Sequence, residues 1–216
     1  MNLQTRREIR FGLVALALSG LLFTLGAALR GPFDFTDPGS YIIRTALSPN
    51  YVPGWTIILV GALLQLYGSF GLYRYLTYQA ETLIAFLAMV LRIAGIALAL
   101  PLFTFLAVTG PVIARLYQQG NQGVIAVVEA NITSGLGIAL LGIALVAAVI
   151  GVILFAIAIW RDGRLPRWTA VLPLLGVLLQ PFAANFTLEL LGLVLVLLST
   201  GVIAWKGWQE SAPGGG

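Results

Sequence analysis

The sequence predicts an all-α, polytopic membrane protein, a bundle of six transmembrane helices. Only 9% of the 216 residues are charged, whereas 59% are hydrophobic. A soluble domain carries about 25% charged residues, so this chain has too few charges to cover a surface exposed to water. Several apolar segments are close to the ~20 residues that an α-helix needs to cross a bilayer core. We therefore treat residues 1–210 as a single transmembrane domain.

The first predicted span, 11–29, lies between the basic segment RREIR and Arg30. It is longer than the apolar core of a cleaved signal peptide, so we expect a retained helix. The other spans are predicted at residues 54–76, 82–108, 135–160, 168–180 and 186–205. Pro101 predicts a kink in the third span, because proline removes a backbone hydrogen bond. The fifth span is short, since its residues rise only ~20 Å in a helix.

Two longer segments, 31–53 and 109–134, are predicted to lie along the non-cytoplasmic face of the membrane. The first contains four prolines, which interrupt helices repeatedly, and Ser40 is expected to cap a short helix over 40–47. The second is predicted to be a helical hairpin broken at QGNQG, followed by NITS as the N-cap of the fourth span. The tail 211–216 is expected to be disordered.

The basic residues predict that both termini face the cytoplasm, because cytoplasmic loops carry an excess of lysine and arginine. In this orientation the cytoplasmic side holds eight basic residues: Arg6, Arg7, Arg10, Arg74, Arg161, Arg164, Arg167 and Lys206. The opposite side holds three: Arg30, Arg44 and Arg115. All five tryptophans also fall at span ends, which is typical of an interfacial aromatic belt.

Small residues at a repeat of seven predict close helix packing on three spans. Helices in a bilayer associate by close contact rather than by escape from water, and this repeat favours left-handed crossings. The predicted seam residues are Gly12, Ser19 and Gly26 on the first span, Gly54, Gly61 and Gly68 on the second, and Gly137, Ala144 and Gly151 on the fourth. Such seams could serve the fold of the monomer or a contact with another subunit.

Arg92 lies inside the third span, on the same helix face as Ala85, Ala88 and Gly95. A charge at this depth needs a partner, and Glu189 is the one acid inside an apolar span. We therefore predict that Arg92 pairs with Glu189, with help from Gln65. The pair could be a structural clamp between helices or part of a gated ion pathway. Alternatively, Glu189 faces outer headgroups near the start of its helix, where the helix dipole favours a carboxylate.

The residue inventory excludes several kinds of site. The chain has no cysteine and no histidine, which removes disulfides, thiolate nucleophiles and His-ligated metals or haem. The basic residues do not form the clustered stripe that binds nucleic acid, and no catalytic motif is present, so we expect neither an enzyme nor a nucleic-acid partner. No cofactor is predicted, although a lipid, carotenoid or quinone could bind without a charged ligand.

The segments AIWRDGRLPRWTAVLPLLGVLL (158–179) and LQLYGSFGLYRYL (64–76) resemble segments of uncharacterised bacterial six-span membrane proteins. This resemblance implies six helices and a bacterial inner membrane, and it supplies no catalytic or binding residues. The favoured function is a structural or accessory subunit that packs against other membrane subunits or itself within the lipid. The alternative is a small-solute or ion transporter or channel that uses Arg92 and Glu189.

Overall fold

The computed structural model describes residues 3–34, 37–78, 82–132, 134–179 and 185–210, and every regular element in these ranges is helical. A π-helical turn, Phe105–Thr109, joins α4 to α5. The predicted disordered tail, 211–216, lies outside the described residues. The helices are α1 (Leu3–Arg30), α2 (Pro38–Thr45), α3 (Tyr51–Thr77), α4 (Leu83–Thr104), α5 (Gly110–Gln118), α6 (Val124–Ile132), α7 (Gly135–Asp162), α8 (Trp168–Leu179) and α9 (Phe186–Glu210).

Among the described residues, five helices are long and apolar enough to cross a membrane. They are α1, α3, α4 with its continuation through α5, α7 and α9. The fifth predicted span, 168–180, corresponds to α8, which has 12 residues and therefore a length of ~18 Å, against a bilayer core of about 30 Å. The described residues thus form a membrane-type helical bundle with five helices long enough to span a bilayer and one shorter apolar helix.

The long helices pack as antiparallel pairs. Gly12 of α1 lies against Gly71 of α3, and Gly26 of α1 lies against Gly54. In the same way α4 packs against α7, and α8 against α9. As a result, the start of α1, the end of α9 and the α7–α8 turn lie at one end of the bundle, which we call the terminal face. The opposite end is the distal face.

Most of the predicted seam residues lie in these helix contacts. A Cβ atom on Gly26 would stand 2.7 Å from the carbonyl oxygen of Gly54, and one on Gly68 would stand 2.7 Å from the Cα of Leu16. Gly61 faces Ser19, so both predicted seams of α1 and α3 belong to one interface. The seam is therefore buried between two helices of the same chain.

The third predicted seam divides between two neighbours. Gly151 of α7 lies against the backbone of Arg92, and the carbonyl oxygen of Ala144 would stand 2.7 Å from a Cβ on Gly95 of α4. Gly137, however, faces the carbonyl oxygen of Asn131, at the end of α6. Gly137 thus contributes to the turn that enters α7 rather than to a contact between two spans.

Three short helices cover the distal end of the bundle. Helix α2 packs against α5 and α6, and a hydrophobic cluster beneath them joins Tyr41, Trp55, Leu106 and Val128. The predicted hairpin corresponds to α5 and α6, with the break at 119–123 as expected. Helix α5 is nevertheless continuous with α4 through the π-helical turn, so the third span does not end at residue 108.

Two predicted caps have different outcomes. The Ser134 side chain accepts a hydrogen bond from the backbone N–H of Gly137 (3.3 Å), so NITS provides the N-cap of α7 as expected. Helix α2 begins two residues earlier than predicted, because Asp37 rather than Ser40 is its N-cap. The Asp37 carboxylate accepts a hydrogen bond from the backbone N–H of Ser40 (3.0 Å). Hydrogen bonding with the side chain of Ser40, and then with its backbone, lowers the pKa of Asp37.

Candidate functional site

Arg92 occupies the middle of α4, on the side that faces α7 and α3. Its neighbours on that side, Ala85 and Ala88, are completely buried. A Cβ on Gly151 of α7 would stand 2.8 Å from the backbone nitrogen of Arg92. The two helix backbones therefore meet at Arg92, and its long side chain extends inside the bundle rather than toward lipid.

Gln65 of α3 is the hydrogen-bond partner of Arg92. We assign the Gln65 amide with its oxygen toward the guanidinium, because this orientation pairs an acceptor with two donors. The oxygen then accepts from Nη2 and, at 3.3 Å, from Nε of Arg92. Gln65 is itself buried, with 7% of its surface exposed. The predicted association of Gln65 with Arg92 is therefore present in the structure, but an amide oxygen does not neutralise the positive charge.

The guanidinium borders a cavity of about 50 Å³ in the half of the bundle nearer the terminal face. All five long spans and α8 contribute to its walls. Polar groups come from Gln65, Ser69, Thr169 and Thr200, and the rest of the wall is apolar. A buried water needs at least ~10–15 Å³ of such space, so the cavity has room for about three to five water molecules. It is far below the ~300–1,000 Å³ of pockets that bind drug-sized ligands.

The hydroxyl groups of the cavity wall are already used as donors. Ser69 donates to the carbonyl oxygen of Gln65 (2.8 Å), and Thr200 donates to that of Val196 (3.0 Å). Thr169 donates to Pro166 (2.7 Å). Because these protons satisfy backbone carbonyls of the same chain, Arg92 is the main source of positive potential in the cavity.

The predicted pairing of Arg92 with Glu189 is wrong. Glu189 forms its ion pair with Arg30, the last residue of α1. Gln65 lies opposite Ser19 in the α1–α3 contact, eleven residues before Arg30, so Arg92 and Glu189 are separated by roughly 16 Å along the bundle axis. No arginine side chain spans that distance. Among the residues that the structure describes, no carboxylate lies within salt-bridge distance of Arg92.

Arg30 was not among the residues singled out from the sequence. It is only 8% exposed, and its guanidinium stacks over Trp55 (4.9 Å to the ring centroid) and Phe33 (5.7 Å). Its Nη1 also donates to the carbonyl oxygen of Gly31 (2.7 Å). The sequence did contain a signal for this ion pair, because Arg30 ends α1 at the same end of the bundle at which Glu189 lies in the first turn of α9. The arrangement is that of a clamp that joins the distal ends of the two helices.

A second polar cluster closes the terminal face. Arg164 binds the Asp162 carboxylate and donates to the backbone oxygen of Tyr75 (2.8 Å). Its guanidinium also lies over the rings of Tyr75 and Tyr78. Partial burial lowers the pKa of Arg164, but the hydrogen bond and charge of Asp162 outweigh this effect and raise it. The cluster holds the α7–α8 turn against the end of α3 and leaves no charge uncompensated.

In the described part of the chain, no group of acidic residues is arranged to hold a metal ion. Comparison with known proteins supplied no relative: no family model, no curated protein and no solved structure matches this chain.

Proposed function

We propose that this chain is a small-anion transporter or channel with its binding site at Arg92. The observation that carries the proposal is a guanidinium inside the bundle, bordering a cavity, with no carboxylate partner among the described residues. An uncompensated charge inside a membrane is costly and is commonly functional. A mobile anion in the cavity would offset that cost. The revised pathway uses Arg92 and Gln65, whereas Glu189 belongs to the Arg30 clamp.

The size of the cavity limits the solute. About 50 Å³ admits an ion of a few atoms, such as chloride, nitrate or formate, and excludes a metabolite of drug size. Arginine suits nitrate and formate in particular, because its planar fork binds planar oxyanions through two hydrogen bonds. The proposed site requires no bound cofactor, and no enzymatic reaction is proposed.

The test is anion flux into liposomes that contain the purified protein, measured with a chloride or nitrate gradient. We expect Arg92→Gln to lower the flux at least tenfold, because a hydrogen bond to a charged group contributes about 1.5–3 kcal/mol. Arg115→Gln is the matched control, since it removes the same charge from an exposed residue of α5. Equal flux in the wild type and Arg92→Gln, or an equal loss in both variants, would refute the proposal.

A stability measurement shows whether a loss of flux follows from the lost charge or from unfolding of the protein. Replacing a buried polar pair by apolar residues of similar size is often neutral or stabilising. We therefore expect the double variant Arg92→Met/Gln65→Met to unfold no more easily than the wild type while it loses anion flux. If the double variant unfolds more easily than the wild type, unfolding rather than loss of the charge would explain its lower flux, and the proposal would lose this support.

We also propose a topology in which α8 completes a sixth crossing. Helix α8 runs antiparallel to α9, with Thr169 beside Ser199 and Gly176 beside Gly192. Its last turn therefore reaches about the level of Glu189. The turn between α7 and α8 packs into the bundle through Leu165, which is 2% exposed. Because the chain is already inside the bundle at this turn, α8 needs fewer residues to complete the crossing. In this proposal α2, α5 and α6 lie along the outer surface of a bacterial inner membrane, and both termini are cytoplasmic.

A second candidate, an accessory subunit, is supported by the distal half of α7. Residues 135–146 are exposed around most of the helix, including Leu136 (73%) and Ile143 (56%). A Cβ on Gly135 or Gly142 would meet no atom within 4 Å, so another helix could approach closely here. If a subunit packs on this surface, Gly142→Trp should abolish its co-purification in mild detergent. Gly201→Trp serves as the control, because Gly201 also has open space around it.

A further inference from the structure

An apolar groove of about 260 Å³ runs between α7 and α8 on the outer surface of the bundle. Its floor is formed by two small buried residues, Ala156 (6% exposed) and Ala170 (2%). Larger side chains stand beside them as walls: Ile153, Ile157, Val171 and Leu174. The groove exists because alanine on both helices leaves a channel where their larger neighbours project outward. It is open on the side that faces away from the rest of the bundle.

The end of the groove near the terminal face is aromatic and positively charged. Trp160 and Arg161 line it, and the Arg167 guanidinium lies 5.1 Å from the centroid of the Trp160 ring. Arg167, at the start of α8, therefore reaches across to the end of α7. Both arginines are exposed.

These two arginines have no acidic partner within the described residues. The acid nearest in sequence, Asp162, is bound by Arg164. The end of the groove near the terminal face thus carries two uncompensated positive charges, while the rest of the groove is apolar. From Ile153 to Trp160 the groove is about 10 Å long, by the helical rise.

We propose that this groove binds one acyl chain of an anionic phospholipid, whose phosphate lies between Arg161 and Arg167. The chain fits the apolar walls, and the phosphate complements the two guanidinium groups, which bind phosphate oxygens through paired hydrogen bonds. Trp160 is 48% exposed and occupies the headgroup level, where tryptophan is enriched. The lipid comes from the leaflet at the terminal face. This site is separate from the anion site at Arg92, although Ala156 and Ala170 belong to the walls of both spaces.

The test compares retention of phosphatidylglycerol and phosphatidylcholine by native mass spectrometry of the full chain released from mild detergent. Juxtamembrane basic residues each contribute about 1 kcal/mol to binding of anionic lipid. For Arg161→Gln/Arg167→Gln we therefore expect about thirtyfold weaker binding of phosphatidylglycerol and little change for phosphatidylcholine. Arg7→Gln/Lys206→Gln is the matched control, because it removes the same charge from exposed residues near the same face.

A second variant tests the groove itself without changing its charge. Val171 is 39% exposed on the wall of α8, and Val171→Trp should fill the groove and displace the acyl chain. We expect this variant to lose phosphatidylglycerol although both arginines remain. Retention by Val171→Trp would show that no chain occupies the groove. An equal loss in the Arg7→Gln/Lys206→Gln control would show a general basic surface instead. Equal retention of both lipids by the wild type would show that the protein does not recognise the charge of the headgroup. Any of these three results overturns the proposal.

Discussion

The buried ion pair of Arg30 and Glu189 makes the stability of the protein sensitive to substitution of either residue. Both side chains are nearly inaccessible, with 6% and 11% of their surfaces exposed. Removing one partner leaves the other charge buried and uncompensated, which costs about 3–5 kcal/mol. We therefore expect Glu189→Leu and Arg30→Met each to destabilise the protein by about this amount. The double variant should regain most of the loss, because neither charge then remains.

The measurement is a double-mutant cycle of unfolding in detergent micelles. Residues in direct contact usually show a coupling of 0.5–3 kcal/mol or more, whereas distant residues are additive within about 0.5 kcal/mol. A parallel cycle of Arg92→Met with Glu189→Leu serves as the comparison and should be additive. Coupling in that second cycle would restore the pairing of Arg92 with Glu189 and contradict the structure described above.

The roles of these residues were only partly predictable from the sequence. Helical spacing was sufficient to place Arg92 on a face of small residues, and Gln65 was correctly associated with it. The partner of Glu189 was missed because Arg30 was assigned to the basic flank of a span, where side chains normally reach water. Its burial depends on Trp55 and Phe33, which come from two other segments of the chain. Periodicity along one helix carries no information about such a contact.

At the scale of helices, the contact between α1 and α3 depends on the absence of side chains. A Cβ on Gly71 would overlap the Cα of Gly12, and both positions are helix backbone that cannot move independently. We therefore expect Gly71→Ala to force the helices apart and to destabilise the protein by about 1–3 kcal/mol, as overpacking usually does. The check is the midpoint of thermal or denaturant unfolding in detergent.

Gly142→Ala is the matched control for this effect. Gly142 is also inside a long helix, but a Cβ there would meet no atom within 4 Å. Alanine is a better helix former than glycine by about 1 kcal/mol in water, so this variant should be as stable as the wild type or more so. If both variants behave alike, helix propensity rather than close packing determines the result, and the seam has no special role.

The helices themselves were more predictable than their pairing and ends. Apolar length located all five long spans, and the repeat of seven indicated faces that now lie between helices. The sequence did not show that α1 and α3 share one seam, nor that Gly176 of α8 lies against Gly192 of α9. The continuation of α4 into α5 was missed as well. Thr109, Gly110 and Pro111 have the composition of a helix end, but a π-helical turn carries the chain past them.

At the scale of the whole molecule, the arrangement of the antiparallel pairs places both ends of the described bundle at the terminal face. Hydropathy alone could not decide the number of crossings, because α8 is short enough to be either a span or a buried helix. The position of α8 in the bundle follows from its packing against α9 through Gly176 and Thr169. The hydropathy of one segment carries no information about such a contact between two helices.

Cysteine labelling can test this topology directly, because the chain contains no cysteine. Exposed residues are available near both faces: Gln4 and Gln209 at the terminal face, Ser48 and Gln119 at the distal face. We expect a membrane-impermeant thiol reagent, added to intact cells, to label Ser48→Cys and Gln119→Cys. Gln4→Cys and Gln209→Cys should react only after the membrane is opened, since cytoplasmic loops carry the excess of basic residues.

Thr187→Cys decides the proposed sixth crossing. Thr187 is exposed and lies two residues before Glu189, at the start of α9. If α8 and α9 complete two crossings, Thr187→Cys should react from outside intact cells as readily as Ser48→Cys. Labelling only after the membrane is opened would place the α8–α9 connection on the side of the termini. Because α9 would then enter from the wrong side to meet the distal end of α1, that result would also separate Glu189 from Arg30 and abolish the coupling expected between them.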